Sequence, residues 1–295
     1  MKSKYIDPAI PRKSKIIDKS LLFYNGIPLP SVVEVNESGK CNRSCSFCPK
    51  SDPDYPDVSE FIDSALIQKL THELGEVNYS GIFVYSGFCE PLLDKNIFEL
   101  IRISRLNMPN AKIEMVSNGD PLNPLRMRKL FDSGLTTLLI SAYDDESQVS
   151  FINNMAKEAG IDKSQYVIRP RWLSEKESFG ITLNNRSGAL SNAEFVIEPL
   201  KEPLKQQCNY PFYNFFMDYN GDVLLCSNDW RKNYITGNLY KKNFLDIWTG
   251  KRMMDARKSL IDANRGFSPC DVCDVNGLLM GNDQKKSWSD LISDG

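Results

Sequence analysis

Five short apolar runs separated by amphipathic stretches constrain this chain more than anything else in it. "SVVEV" (31–35), "GIFVYSG" (81–87), "KIEMVSNG" (112–119), "TTLLISAYD" (136–144) and "YVIRPRWL" (166–173) read as strands buried on both faces. Between them, 64–76, 96–107, 123–134 and 146–160 carry apolar residues at helical spacing. Such alternation is α/β and predicts a parallel sheet or barrel, with reactive side chains at the C-terminal ends of the strands. The pattern changes near residue 195: "FYNFFMDYNGDVLLCS" reads as two strands about Asn220-Gly221, a type I′ hairpin signal opening a smaller α+β domain. The expected division is an N-terminal extension (1–30), a partial (β/α)6 TIM-like barrel (31–195), the small domain (196–280) and a tail (281–295), loosely ordered or folded back as a lid.

At 295 residues the chain can bury a full-sized core. A net charge of -2 gives it no field to attract nucleic acid or an anionic membrane. The basic N-terminus lacks the apolar stretch of a signal peptide, and no run is long enough to span a bilayer. The expectation is a cytoplasmic protein with no nucleic-acid and no membrane partner. In a reducing compartment its eight cysteines read as metal ligands before disulfides.

Three of them, Cys41, Cys45 and Cys48, are spaced C-x3-C-x2-C just after the first strand, in the first βα loop. Zinc would want a fourth ligand, and the single histidine, His72, lies on a helix where a solvated or packed surface position suits it. A disulfide would leave one thiol over. An iron–sulfur cluster with one iron open to an outside ligand remains, beside the plainer readings of an incidental trio or a degraded zinc site.

With Phe47 between the last two cysteines, this motif resembles the signature of the radical S-adenosylmethionine (SAM) superfamily. The resemblance implies a [4Fe–4S] cluster whose open iron binds SAM, reductive cleavage of the sulfonium, and hydrogen abstraction by a 5′-deoxyadenosyl radical. "SGFCEPLLD" (86–94) resembles the family's Gly-Gly-Glu-Pro segment, with Cys89 in a usual glycine position. Glu90 would then accept a hydrogen bond from SAM's ammonium. Ser117 and Asn118, from "SNG", suit a ribose diol, although they are equally an ordinary turn. Ser141 and Arg169 stand where the family contacts the SAM carboxylate or ribose, and Arg171 lies two residues on. Asn184, Asn185 and Arg186 sit in a barrel-mouth loop suited to hydroxyls or an anion, or in a solvated turn.

Cys208, Cys226, Cys270 and Cys273 form a second set, C-x17-C-x43-C-x2-C. Four ligands close a site, and a zinc ribbon is one reading. The spacing resembles the Twitch domain, a shortened SPASM domain carrying one auxiliary [4Fe–4S] cluster, most closely that of the family's aminocyclitol-oxidising dehydrogenases. The resemblance thus implies two [4Fe–4S] clusters, SAM, and a flavodoxin- or ferredoxin-type reductant.

Hydrogen abstraction from CH–OH leaves a carbon radical that must still lose a proton and an electron to become C=O, and a fully ligated cluster can take that electron. The expected activity is a radical SAM oxidoreductase of dehydrogenase type acting on a polyol, aminocyclitol or sugar-like small molecule. Arg169, Arg171 or Arg186 would orient the hydroxyl, since arginine is a poor base. Only 40 residues precede the first cluster motif, too few for a leader-binding domain plus the first strand, which favours a small substrate over a peptide. The alternatives are a radical epimerase, a peptide-modifying enzyme, or a zinc-stabilised binding module. Cys89, the one thiol left after seven ligands, would be an epimerase's hydrogen donor if it faced the cofactor, but strand alternation turns it away from Glu90 and favours packing.

Overall fold

The computed structural model describes residues 9–19, 21–56, 58–173, 180–181, 183–191 and 197–293, so the expected boundary at 195 lies outside the described residues. Helix α1 (Ala9–Ile17) and a small hairpin of β1 (Phe23–Tyr24) and β2 (Ile27–Pro28) precede the main sheet. The βα units follow as β3 (Val32–Asn36), α2 (Ser64–Glu76), β4 (Ile82–Tyr85), α3 (Ile97–Asn107), β5 (Lys112–Ser117), α4 (Pro124–Asp132), β6 (Thr137–Ala142), α5 (Ser147–Ala159) and β7 (Tyr166–Pro170). These are the five apolar runs and four helices anticipated. Their ends are set locally: the Asp63 side chain accepts the Ala65 amide to cap α2, Asn123 caps α4 ahead of Pro124, and left-handed Gly160 closes α5.

The C-terminal part contributes α6 (Tyr210–Tyr213), β8 (Asn214–Asp218), β9 (Asp222–Leu224), β10 (Ile235–Asn238), α7 (Phe244–Trp248), α8 (Lys251–Ile261) and α9 (Asn282–Ser293). Its strands join the barrel's sheet. The order is β10-β9-β8-β3-β4-β5-β6-β7, with β8 parallel to β3 and the β8–β9 and β9–β10 pairs antiparallel. The β8–β9 turn departs from the type I′ expectation. Among the non-glycine residues with positive φ, Asn220 does not occur; the Gly221 amide donates to the Asp218 carbonyl, and Gly221 alone takes φ +81°. That is a three-residue loop closed by a glycine bulge, in which Tyr219 adds the residue that a two-residue turn omits.

Alternation sorts the strands into two faces. Val33, Val35, Phe83, Tyr85, Ile113, Met115, Leu138 and Ile140 pack under the helices in the main core with Leu66, Leu70, Leu100 and Leu130. On the concave face, Val32, Ile82 and Val84 meet Ile17 of α1, so α1 plugs the barrel. Arg12 of α1 adds a two-pronged bond to Glu114 of β5, at 2.5 and 3.1 Å.

The tail is neither loose nor a lid. It is α9, with Trp288 1% exposed, and Arg257 lies between the Trp248 and Trp288 rings at 3.9 and 3.8 Å. Gln284 of α9 donates to the Ser31 hydroxyl and the Ile17 carbonyl. Ser31 leads into β3, so α9 seals the N-terminal end of the barrel, opposite the strand ends that carry the cysteine loop.

Candidate active site

The loop after β3 that bears Cys41, Cys45 and Cys48 is tied to the ends of two other strands. Arg43 makes a two-pronged ion pair with Asp120 beyond β5, at 2.5 and 2.6 Å, and reaches Asp144 beyond β6 at 3.3 Å. Asn42 donates to Asp120 at 2.8 Å and accepts from the Asn118 side chain at 2.7 Å. Lys50 donates to the Gly39 carbonyl, closing the loop on itself. The three thiols lie close enough to repel one another as anions. Burial, with the charges of Cys48 and Cys41, pushes the Cys45 thiol up to about 12, and burial raises Cys41 and Cys48 as well.

Glu90 follows β4 and is 2% exposed. Its carboxylate accepts the Leu92 amide at 3.0 Å, the Ser117 hydroxyl at 2.8 Å and the Asn118 amide at 2.6 Å. Burial raises its pKa. Cys89 lies in a bend beyond β4, where strand alternation does not apply, and donates to Glu37 at 3.3 Å. Glu37 is itself fully buried, and burial pushes it up to about 8. Phe47 stacks on Tyr143 beyond β6, ring centroids 6.2 Å apart, and Arg43 lies over the same ring at 4.7 Å.

Ser141 and Arg169 are register partners on β6 and β7, and the guanidinium donates to the Ser141 hydroxyl at 2.6 Å. Arg171, 6% exposed, donates to the Pro170 and Gly180 carbonyls. Arg186 is half-buried with left-handed backbone, φ +49°. Burial pulls its pKa down, while Cys48, Tyr210 and Asp274 all lie near enough to hold its charge. Of these, Cys48 belongs to the first cysteine set and Asp274 adjoins Cys273 of the second. His72 is exposed on α2.

Cys208 precedes α6, Cys226 follows β9, and Cys270 and Cys273 come after α8. Burial, then the charges of the other three, raises the Cys226 thiol, so the four share one neighbourhood. Gly277 packs on Cys208; a Cβ there would come within 2.8 Å of the Cys208 Cα and Cβ. All eight cysteines are free. Among the described residues no three of His, Cys, Asp or Glu are gathered to hold a single metal ion. The donor chemistry fits clusters: crowded, buried thiols stay protonated alone, and a coordinating iron supplies the positive charge that makes them thiolates. Three thiols suit a cluster with an open iron, and four a closed one.

Several site residues escaped the sequence reading. Arg43, Asp120 and Tyr143 are ordinary loop residues until the strand ends are brought together. Asn185 proved structural: wholly buried, it donates to the Val272 and Glu198 carbonyls, and its amide donates to the Asp274 carboxylate at 2.8 Å, fastening the 183–190 loop to the last cysteine pair. Tyr55 and Trp230 pack beside Cys48 and Phe88, with the Tyr55 hydroxyl on the Trp230 carbonyl at 3.1 Å.

Comparison with known proteins agrees with this geometry. Residues 35–169 match the radical SAM superfamily, and residues 208–274 match SPASM, an iron–sulfur cluster-binding domain. The S-adenosyl-L-methionine-dependent 2-deoxy-scyllo-inosamine dehydrogenase of Niallia circulans is 27% identical over 243 residues, 82% of this chain and 91% of that protein. The crystal structure of BtrN in complex with AdoMet and 2-DOIA superposes with a TM-score of 0.71 at 24% identity, covering 86% of this chain and 96% of the other. That of anSMEcpe with bound AdoMet gives 0.54 at 13% identity, over 90% and 93%. Barrel, cysteine loop, buried glutamate and four-thiol site thus agree with a radical SAM domain over residues 35–169, followed by an iron–sulfur domain of the SPASM type over 208–274, the domain order of a radical SAM enzyme.

Proposed function

We propose that this enzyme is a dehydrogenase that oxidises a CH–OH group to C=O on a small, polar, polyol-like substrate. The observation that carries the reading is Arg186, a half-buried cation near both Cys48 of the first site and the Asp274 loop of the second. A substrate held there lies near both redox sites. When bound, SAM and the two clusters supply reductive sulfonium cleavage at one site and a one-electron acceptor at the other.

The chain's own residues do the rest. Cys41, Cys45 and Cys48 hold the first cluster; Cys208, Cys226, Cys270 and Cys273 hold the second. Glu90 receives the ammonium of SAM, Ser141 and Arg169 its carboxylate, and Ser117, Asn118 and Phe47 border the nucleoside. Arg186, with Arg171 nearby, orients the hydroxyl and stabilises negative charge on its oxygen as the proton leaves. The dehydrogenase name of the Niallia circulans relative supports oxidation and an aminocyclitol-like substrate. Cys89 faces Glu37 instead of Ser117, which leaves an epimerase without its donor. The same reading keeps the division at residues 30, 195 and 280, a cytoplasmic setting suited to eight free thiols, and a flavodoxin- or ferredoxin-type reductant. No helix among the described residues is long and apolar enough to cross a membrane.

The test is the product. Anaerobic turnover with aminocyclitols and related polyols should yield a ketone two mass units lighter than substrate, with 5′-deoxyadenosine formed alongside. An isomer of unchanged mass carrying solvent deuterium, lost in Cys89→Ala, would overturn the reading.

A further inference from the structure

Arg265 is 2% exposed, and among the described residues no carboxylate lies within ion-pairing distance of it. Its guanidinium is held on three carbonyls: Nε on Gln206 at 3.0 Å, Nη2 on Gln207 at 2.9 Å and Nη1 on Val275 at 2.9 Å. Two of these carbonyls immediately precede Cys208, and the third follows Cys273 by two residues. The fork thus clamps the backbone on both sides of the four-thiol site. Its charge acts on Cys208, Cys270 and Cys273, favouring the thiolate at each against the effect of burial. A buried cation without an anionic partner is costly, and carbonyl dipoles offset only part of that cost. The anion that completes the arrangement is the thiolate-bound cluster.

We propose that Arg265 is the fixed counter-charge of the auxiliary cluster and raises its reduction potential, making it the electron acceptor that oxidation requires. The inference rests on the dehydrogenase reading for its purpose, though not for its measurement. The substrate radical C•–OH becomes C=O by losing one proton and one electron; the substrate is oxidised, and the auxiliary cluster is reduced by that electron. A reduced cluster carries one more negative charge, which a buried guanidinium stabilises more than it does the oxidised form. Arg257, also wholly buried, stands on the Pro211 and Trp248 carbonyls between two indole rings and serves packing.

The experiment uses the full chain with Cys41, Cys45 and Cys48 replaced by Ala, so that only the auxiliary cluster remains, in an anaerobic redox titration followed by electron paramagnetic resonance. Arg265→Gln should disfavour reduction about tenfold or more, about 59 mV for a one-electron couple. Arg265→Lys should stay within about threefold of the parent. A Gln variant with full auxiliary iron and an unchanged potential would overturn the proposal. Should Gln fail to hold iron, Lys decides: iron retained at near-parent potential supports the charge role, and loss of iron there too assigns Arg265 to folding and overturns it. If turnover gives an isomer instead of a ketone, the dehydrogenase reading fails while the potential shift stands or falls separately.

Discussion

The Glu90 carboxylate accepts the backbone amide of Asn118 at 2.6 Å, joining the end of β4 to the end of β5 across the mouth of the barrel. With Leu92 and Ser117 as further donors, it is oriented before any ligand arrives. Glu90→Gln should cost about 3 to 5 kcal/mol of SAM affinity, the penalty for removing one partner of a buried charge pair. Because burial raises the Glu90 pKa, wild-type affinity should also weaken as pH falls and the carboxylate takes up a proton, whereas the Gln variant should show no such dependence. Calorimetric titration over a pH series measures both, and wild-type affinity in the variant would mean that the ammonium binds elsewhere.

The two cysteine sets should separate cleanly. Ala at Cys41, Cys45 or Cys48 should abolish 5′-deoxyadenosine formation. Ala at Cys226 or Cys273 should halve the iron, from about eight atoms to about four, and leave some SAM cleavage. Iron and cleavage both unchanged in the latter would remove these residues from the ligand set.

Glu37 makes a pH prediction unrelated to catalysis. Its folded pKa of about 8 exceeds the ordinary glutamate value of 4.5, so between those values the folded chain holds a proton that the unfolded chain has lost. Its contribution therefore declines as pH rises from about 4.5 to about 8, then levels off. Glu37→Gln should flatten that decline and leave the apoprotein more stable than wild type at pH 8, as read by denaturant unfolding. An equal slope in both proteins would show that Glu37 titrates normally.

Arg43→Ala unties the first cysteine loop from Asp120 and Asp144. These side chains are about a quarter exposed or more, so the loss in global stability should be small, about 1 kcal/mol or less. The sharper effect should be faster loss of the first cluster to a chelator. High salt should weaken the tether and bring wild type closer to the variant.

Trp288→Ala empties a site that is 1% exposed and removes one wall of the Arg257 sandwich. The expected loss is about 3 to 5 kcal/mol, seen as a lower unfolding midpoint. SAM cleavage per folded molecule should be unchanged, because α9 lies at the far end of the barrel.

What the amino-acid pattern made legible was whatever local chemistry decides. The five buried strands follow from runs such as "TTLLISA"; spacing divides seven of the cysteines into a three and a four, and the family resemblance, not spacing alone, reads them as cluster ligands. The Asn220-Gly221 signal located the hairpin and missed its turn type, because register with Leu224 and Val223 required Tyr219 in the loop. The tail looked polar enough to be loose; its helix is held by Trp288 against Trp248 and Arg257, and by Gln284, which meets Ile17 and Ser31 more than 200 residues earlier, beyond any local pattern. Arg43 and Arg265 act only through groups brought near by folding, so nothing adjacent in sequence marks them.

Strand β3, from which the first cysteine loop springs, is bonded to β8, and β8 to β9, from which Cys226 follows. The two metal-binding loops thus hang from three successive strands of a single sheet. Separations across a sheet are multiples of a strand spacing of about 4.8 Å, set by the backbone hydrogen bonds that join the strands. The strand that leads to Cys41 and the strand that leads to Cys226 are therefore spaced by two steps within one sheet, not by the docking of one separate body on another.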